Sequence, residues 1–219
     1  MSERQPSLSQ AAYEAIKRKI VSLQLPPGSL IDETALREEL GIGRTPIREA
    51  LQRLALEKLV VIVPRRGTFV SDVRLADLQR LAEVRLTLEG LAARLAAQRG
   101  TESHWQRMEE VLARAPWDDP ATDNEVWIEI DQECHAIIYE ATNNPYLADI
   151  LAMLYALSLR LWYFALSEIG DMREAIREHE RILQALRAGD GEQAAQLLHR
   201  HIRAFHEKIQ KVMLAVPSL

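Results

Sequence analysis

A lone cysteine, Cys134, excludes an internal disulfide framework, so the fold must rest on an apolar core. The first six residues lack the basic flank and the apolar stretch of a secretory signal, which points to the cytoplasm. An unbroken apolar run of the ~20 residues that span a bilayer is also missing. The longest candidate, 150–166, is interrupted by Ser158 and Arg160 and reads as a buried core helix, so no membrane partner is expected. Net positive charge is lacking too, the total being −5. That would argue against nucleic acid if charge acted globally, but only local charge matters there. Residues 1–70 hold 11 Lys/Arg against 8 Asp/Glu, net +3, and the remainder holds 16 against 24, net −8. The basic part is N-terminal.

Residues 9–23 place Tyr13, Ile16, Ile20 and Leu23 at helical spacing, with Lys17, Arg18 and Lys19 on the other side, and Pro26-Pro27-Gly28 ends the helix. Asp32 reads as the N-cap of a second helix, 33–40, with Ala35, Leu36 and Leu40 on its apolar face and Gly41 as its stop. A third helix, 44–57, tolerates Pro46 in its first turn and buries Ile47, Leu51 and Leu54, while Arg44, Arg48 and Arg53 lie on its other face. Two β-branched strands, 59–63 and 68–70, flank the basic turn Pro64-Arg65-Arg66-Gly67. Three helices and a hairpin in this order predict a winged helix-turn-helix over 1–71. After a short linker, 72–77, strand signals disappear. Six helical stretches, 75–99, 102–115, 122–142, 145–167, 171–188 and 191–213, predict an all-α antiparallel bundle over 78–213. The fold class is therefore mostly α.

In a helix-turn-helix the second helix enters the major groove by its N-terminal end, where Arg44, Thr45 and Arg48 stand. An arginine fork makes paired hydrogen bonds to guanine or phosphate. The wing arginines Arg65 and Arg66 can reach the adjacent backbone or minor groove, and Gly67 allows close approach. In the bundle, Asp131 and His135 are one turn apart on one helix face. His179 and His201 are equidistant from Asp190, the centre of the turn 188–191, so an antiparallel hairpin brings them to one height. Asp190 with Gln193 three residues on forms a capping pattern that supports this register. One carboxylate and three imidazoles suit a divalent ion, Zn²⁺ foremost, with Ni²⁺ or Mn²⁺ as alternatives. Arg85 lies on the apolar stripe of its helix and needs an anionic partner. That partner is either the carboxylate of a small organic acid effector, bound with Arg160, or Glu89 or the DNA-binding domain. His104, His199 and His206 read as surface residues.

The N-terminal pattern Tyr13, Pro27-Gly28, Gly41-Ile42-Gly43-Arg44-Thr45-Pro46-Ile47-Arg48-Glu49-Ala50-Leu51 and Arg65-Arg66-Gly67-Thr68-Phe69-Val70 resembles the GntR family of bacterial regulators. The C-terminal pattern Asp131 to His135, Asn144-Pro145-Tyr146-Leu147, Glu178-His179, Ala188-Gly189-Asp190 and His201 is similar to the FCD effector domain of FadR-type regulators. The resemblance implies DNA contacts at Arg44, Thr45, Arg48 and the wing around Arg66 and Gly67. It also implies an Asp131, His135, His179, His201 ligand set, and a homodimer on a palindromic double-stranded operator. Gly43 departs from the usual capping serine or threonine, Thr34 stands where FadR-like members place a base-contacting arginine, and Cys134 replaces a phenylalanine. The expected function is a transcriptional regulator, foremost a repressor, controlled by a carboxylate metabolite at a metal site. A metal sensor without organic effector is the first alternative. A metalloenzyme is the second, with Glu133 and Glu178 as its only nearby candidate bases.

Overall fold

Helix ends in this chain coincide with residues that satisfy or replace their unpaired backbone groups. In a computed structural model, which describes residues 7–117, 124–165 and 172–215, α1 (Leu8–Val21) starts where Ser7 Oγ accepts from the Gln10 N–H at 3.1 Å. The Asp32 carboxylate opens α2 (Glu33–Leu40) by accepting from the N–H groups of Thr34 and Ala35 at 2.8 and 3.0 Å, and Gly41 closes it in the left-handed region, φ 65°. The third helix, α3 (Arg44–Leu56), has Gly43 as N-cap with no capping side chain. Strands β1 (Val60–Val63) and β2 (Gly67–Val70) pair antiparallel with Val60 opposite Val70 and Val63 opposite Gly67, and Leu30 adds an isolated bridge to Phe69. This is the expected winged helix-turn-helix, with the second strand one residue longer than the β-branched run.

Apolar residues at helical spacing join α1 to α3: Ile16, Ile20, Ile47, Leu51, Leu54 and Leu59 are fully buried. Ala35 departs from expectation. It is exposed, whereas Leu36 is buried and Leu40 half-buried. Arg53 also differs from its neighbours on α3. Its guanidinium stacks over the Tyr13 ring at 3.6 Å and donates to Gln10, so it ties α3 to α1. The Tyr13 hydroxyl donates to Glu57, which also pairs with Lys17 at 2.9 Å.

The remaining helices are α4 (Leu75–Arg99), α5 (Glu102–Ala113), α6 (Asn124–Ala141), α7 (Pro145–Ala165), α8 (Arg173–Arg187) and α9 (Gly191–Ala215). Expected helical residues 122–123, 166–167 and 171 lie outside the described residues. The chain forms two compact units: the described residues of 1–74 with 156–164, and those of 75–155 with 165–219. In the second unit α4 packs along α9 and α8 on α9. Arg94 of α4 pairs with Glu192 near the start of α9 at 2.6 Å, and Gly90 lies under His199, so these two helices run antiparallel. A Cβ at position 90 would crowd the His199 ring tip, so a larger residue there requires that imidazole to move. Asp190 Oδ1 accepts from the Gln193 N–H at 2.9 Å, as the capping pattern predicts. Helix α7 is long and apolar enough to cross a membrane by length and composition, yet 56% of its most apolar window is buried, as in a core helix.

The Tyr13 hydroxyl is half-buried and bonded to a charged acceptor, so Tyr13→Phe removes a charge-assisted hydrogen bond while leaving the ring under Arg53. The expected cost is about 1 kcal/mol. It is read as a lower urea midpoint with an unchanged slope.

Candidate metal centre and nucleic-acid interface

On the first turns of α3, Arg44, Thr45 and Arg48 are all exposed. Because Gly43 offers no capping side chain, the N–H groups of that turn stay open to an anion such as phosphate. Arg48 is held toward α2 by Glu33, Nε to Oε2 3.1 Å, which orders a side chain that would otherwise be free. Thr34 is exposed on the first turn of α2. At the wing tip the Arg66 N–H donates to the Val63 carbonyl at 3.0 Å, with Pro64 second in the turn and Arg65 third at φ 64°. Arg65, Arg66 and Gly67 are exposed. Gly67 adopts φ 113°, a conformation that residues with a Cβ rarely adopt, so glycine is required there by the backbone.

The bundle brings Asp131 and His135 from α6, His179 from α8 and His201 from α9 to one buried point. None is more than 4% exposed, and one ligand atom from each lies within 4.8 Å of the others. The turn argument for the α8–α9 hairpin holds, since the His179 and His201 ring centroids are 4.5 Å apart. Each imidazole meets an oxygen at Nδ1. His201 faces Glu178 Oε2 at 2.9 Å, His179 the Ala175 carbonyl at 3.0 Å, and His135 the Tyr139 hydroxyl at 3.3 Å and Glu89 Oε2 at 3.4 Å. The Nε2 atoms of His201 and His135 then lie 3.2 and 3.8 Å from the Asp131 oxygens. Asp131 Oδ2 accepts from the Tyr155 hydroxyl at 2.6 Å, whereas Oδ1 and His179 Nε2 are buried without a hydrogen bond. Unsatisfied buried atoms of this kind call for a partner. Inward lone pairs backed by outward acceptors are the donor set of a divalent ion, so the residues fit one.

Electrostatics divide the histidines. Burial pushes His179 down to about 3, and the neighbouring His201 adds to the effect. Burial also opposes charge on His201, but Asp131 and Glu178 outweigh it and hold the group up at about 9. For Asp131 burial is overcome by the three histidines, which keep the carboxyl well below its usual range. Burial raises Tyr139 and Tyr155 far above the ordinary phenol value, so both are donors at neutral pH.

Neither arginine expected at an effector carboxylate is presented for one. Arg85 is fully committed to Glu89, at 2.6 Å, because a guanidinium on the apolar stripe of α4 must find its counterion inside the core. Arg160 belongs to the first unit. It is 3% exposed and donates to the Ser71 carbonyl at 2.6 Å, while burial lowers it to about 10 against the influence of Asp72. Glu178, weighed from the sequence as a candidate base, accepts from His201, and Glu133 is exposed and paired with Arg114. The three remaining histidines are half-buried rather than superficial. His104 closes a capping box with Thr101, and the inner ring nitrogens of His199 and His206 are buried. Sequence reasoning missed Tyr155, Tyr139 and Glu178 as supports of the site. Tyr139 sits one turn beyond His135 and was within reach of the same helical argument; Tyr155 gave no signal, being one aromatic in an apolar run.

Residues 8–70 match the model of the bacterial regulatory proteins, gntR family, and residues 80–204 match the FCD domain. The chain is 24% identical over 205 residues to the HTH-type transcriptional repressor RspR of Escherichia coli (strain K12), covering 94% of this chain and 90% of that protein. It is 26% identical over 212 residues to the HTH-type transcriptional regulator McbR of the same strain, covering 94% and 96%. The solved E. coli McbR/YncC structure shares the fold, with a TM-score of 0.85 at 24% identity over 94% of this chain and 99% of that one. These matches are to regulators and not to enzymes. With an exposed basic recognition helix, a wing and a helical effector domain in one polypeptide, the chain belongs to the GntR family of bacterial transcriptional regulators, in the group that carries an FCD domain.

Proposed function

We propose that this regulator is a cytoplasmic repressor whose operator affinity is set at a metal centre formed by Asp131, His135, His179 and His201. The observation that carries the proposal is the convergence of four buried ligand atoms within 4.8 Å, two of them without any hydrogen bond, in a chain that also bears a DNA-reading helix. A bound divalent ion, Zn²⁺ in the first instance, supplies a Lewis-acidic anchor for a carboxylate oxygen of a small organic acid. The name of RspR as a repressor supports the sign of control. Two copies of the chain on a palindromic operator set two recognition helices one helical turn apart.

On the DNA, Arg44, Thr45 and Arg48 read base edges and phosphates from the start of α3, while Thr34 approaches from α2. Arg65, Arg66 and the bare backbone at Gly67 follow the adjacent groove. Ligand-dependent packing of the bundle then biases DNA binding, and a coupling of roughly 1–3 kcal/mol changes operator affinity by ~5–150-fold.

A second reading, a sensor of the metal alone, is favoured by Arg85, whose charge is already met by Glu89. A gel shift with Zn²⁺ titrated in the absence of organic acids separates the two. Metal-dependent DNA release without an acid supports the sensor of metal alone, and release that requires an acid supports the metabolite-controlled repressor.

Native mass spectrometry should find a dimer carrying one metal per chain, with the metal lost in His135→Ala and His179→Ala. A metal-free wild-type dimer that still binds DNA overturns the metal centre. For the DNA contacts, Arg44→Ala should weaken operator binding by about 1–3 kcal/mol and relax base preference at one position. Arg66→Ala should weaken binding to all sequences alike and reduce the salt slope, log K against log salt, by about 0.9. Equal slopes for Arg66→Ala and wild type would place the wing away from phosphate.

A further inference from the structure

Glu89 of α4 is fully buried, and its two oxygens are used unequally. Oε1 accepts from Arg85 Nη2 at 2.6 Å, from Arg85 Nε at 3.2 Å and from the Tyr139 hydroxyl at 2.6 Å. Oε2 is buried without a hydrogen bond and lies 3.4 Å from His135 Nδ1. The Tyr139 hydroxyl is the other oxygen near that nitrogen, at 3.3 Å. Its single proton is directed to Glu89, so it turns only a lone pair toward the imidazole. His135 Nδ1 therefore meets acceptors alone, and an imidazole in that setting carries its proton on Nδ1 and leaves Nε2 with a lone pair.

We infer that Glu89 is a positioning residue of the metal centre, which fixes the tautomer and ring orientation of His135 through its free oxygen, with Arg85 and Tyr139 holding the carboxylate in place. The inference rests on the metal reading above and assigns Arg85 a different role from that of an effector receptor. Arg85 cancels the charge of Glu89, so the network orients a ligand without adding net charge to the buried centre. Glu178, which meets His201 at 2.9 Å, is 23% exposed on its side chain, so solvent shares the work of stabilising it. Glu89 has no solvent, and its arginine is the substitute.

The test is Zn²⁺ binding by the full-length protein, measured by competition with a chromophoric chelator, together with the proton resonance of His135 Nδ1–H in the zinc-loaded state. Glu89→Gln should still bind one Zn²⁺ per chain, with affinity lower by about 10–100-fold and the His135 resonance shifted upfield. Glu178→Gln should lose less. Because Glu89→Gln leaves Arg85 unpaired, the double variant Arg85→Met/Glu89→Gln removes both charges. It should keep the wild-type circular dichroism and show the same loss of zinc affinity. Wild-type affinity and an unshifted resonance in the double variant, with His179→Ala unable to bind zinc, overturn this inference and leave the metal centre standing. A wild-type protein that takes up no zinc overturns both.

Discussion

The Asp131 carboxylate is the constraint around which the second unit is organised. It is an anion held 4% exposed, and a buried charge of this kind is tolerated only when neighbours compensate it. His201, held charged by Asp131 and Glu178, places Nε2 3.2 Å from one carboxylate oxygen, the imidazoles of His135 and His179 border it, and the Tyr155 hydroxyl donates to the other oxygen. Each imidazole is in turn buried and needs an acceptor at its outer nitrogen. The supports therefore extend to Glu178, the Ala175 carbonyl, Tyr139 and Glu89. Helices α4, α6, α7, α8 and α9 all contribute to this buried polar centre.

The cluster leaves two of its buried polar atoms without a protein partner. Such a cluster is most stable when every lone pair is met, and Asp131 Oδ1 and His179 Nε2 are left unmet by protein donors. The low value of His179 and the high value of His201 express the same asymmetry: one ring is fully buried beside the charged His201, the other lies between two carboxylates.

In the first unit the pattern differs, since several polar side chains are left exposed. Arg44 and Thr45 are exposed at the start of a helix without a side-chain cap, and the wing presents two arginines beside a glycine that the backbone requires. Arg53, close by on the same helix, is used instead to brace Tyr13. Arg53 thus packs against α1, whereas Arg44 and Arg48 are exposed.

The amino-acid sequence by itself determined the order of elements, the caps at Asp32, Gly41 and Asp190, and two pairs, Asp131 with His135 and His179 with His201, because these follow from spacing along single helices or across one short turn, whereas the packing of α6 against α8, itself packed on α9, brings the two pairs together. Helical periodicity and hairpin symmetry are local properties, legible without knowledge of packing. What only the tertiary structure decided was how the buried charges are paired. The Arg85–Glu89 pair was visible as one spacing among several, but its choice over an effector depended on the closed environment around α4. Arg160 shows the same limit. Its partner, the Ser71 carbonyl, is 89 residues away, and no pattern along α7 reveals that 156–164 pack with the first unit while 145–155 belong to the second. Long-range pairing of a buried group is set by which surfaces meet, and that information is absent from the periodicity of any one segment.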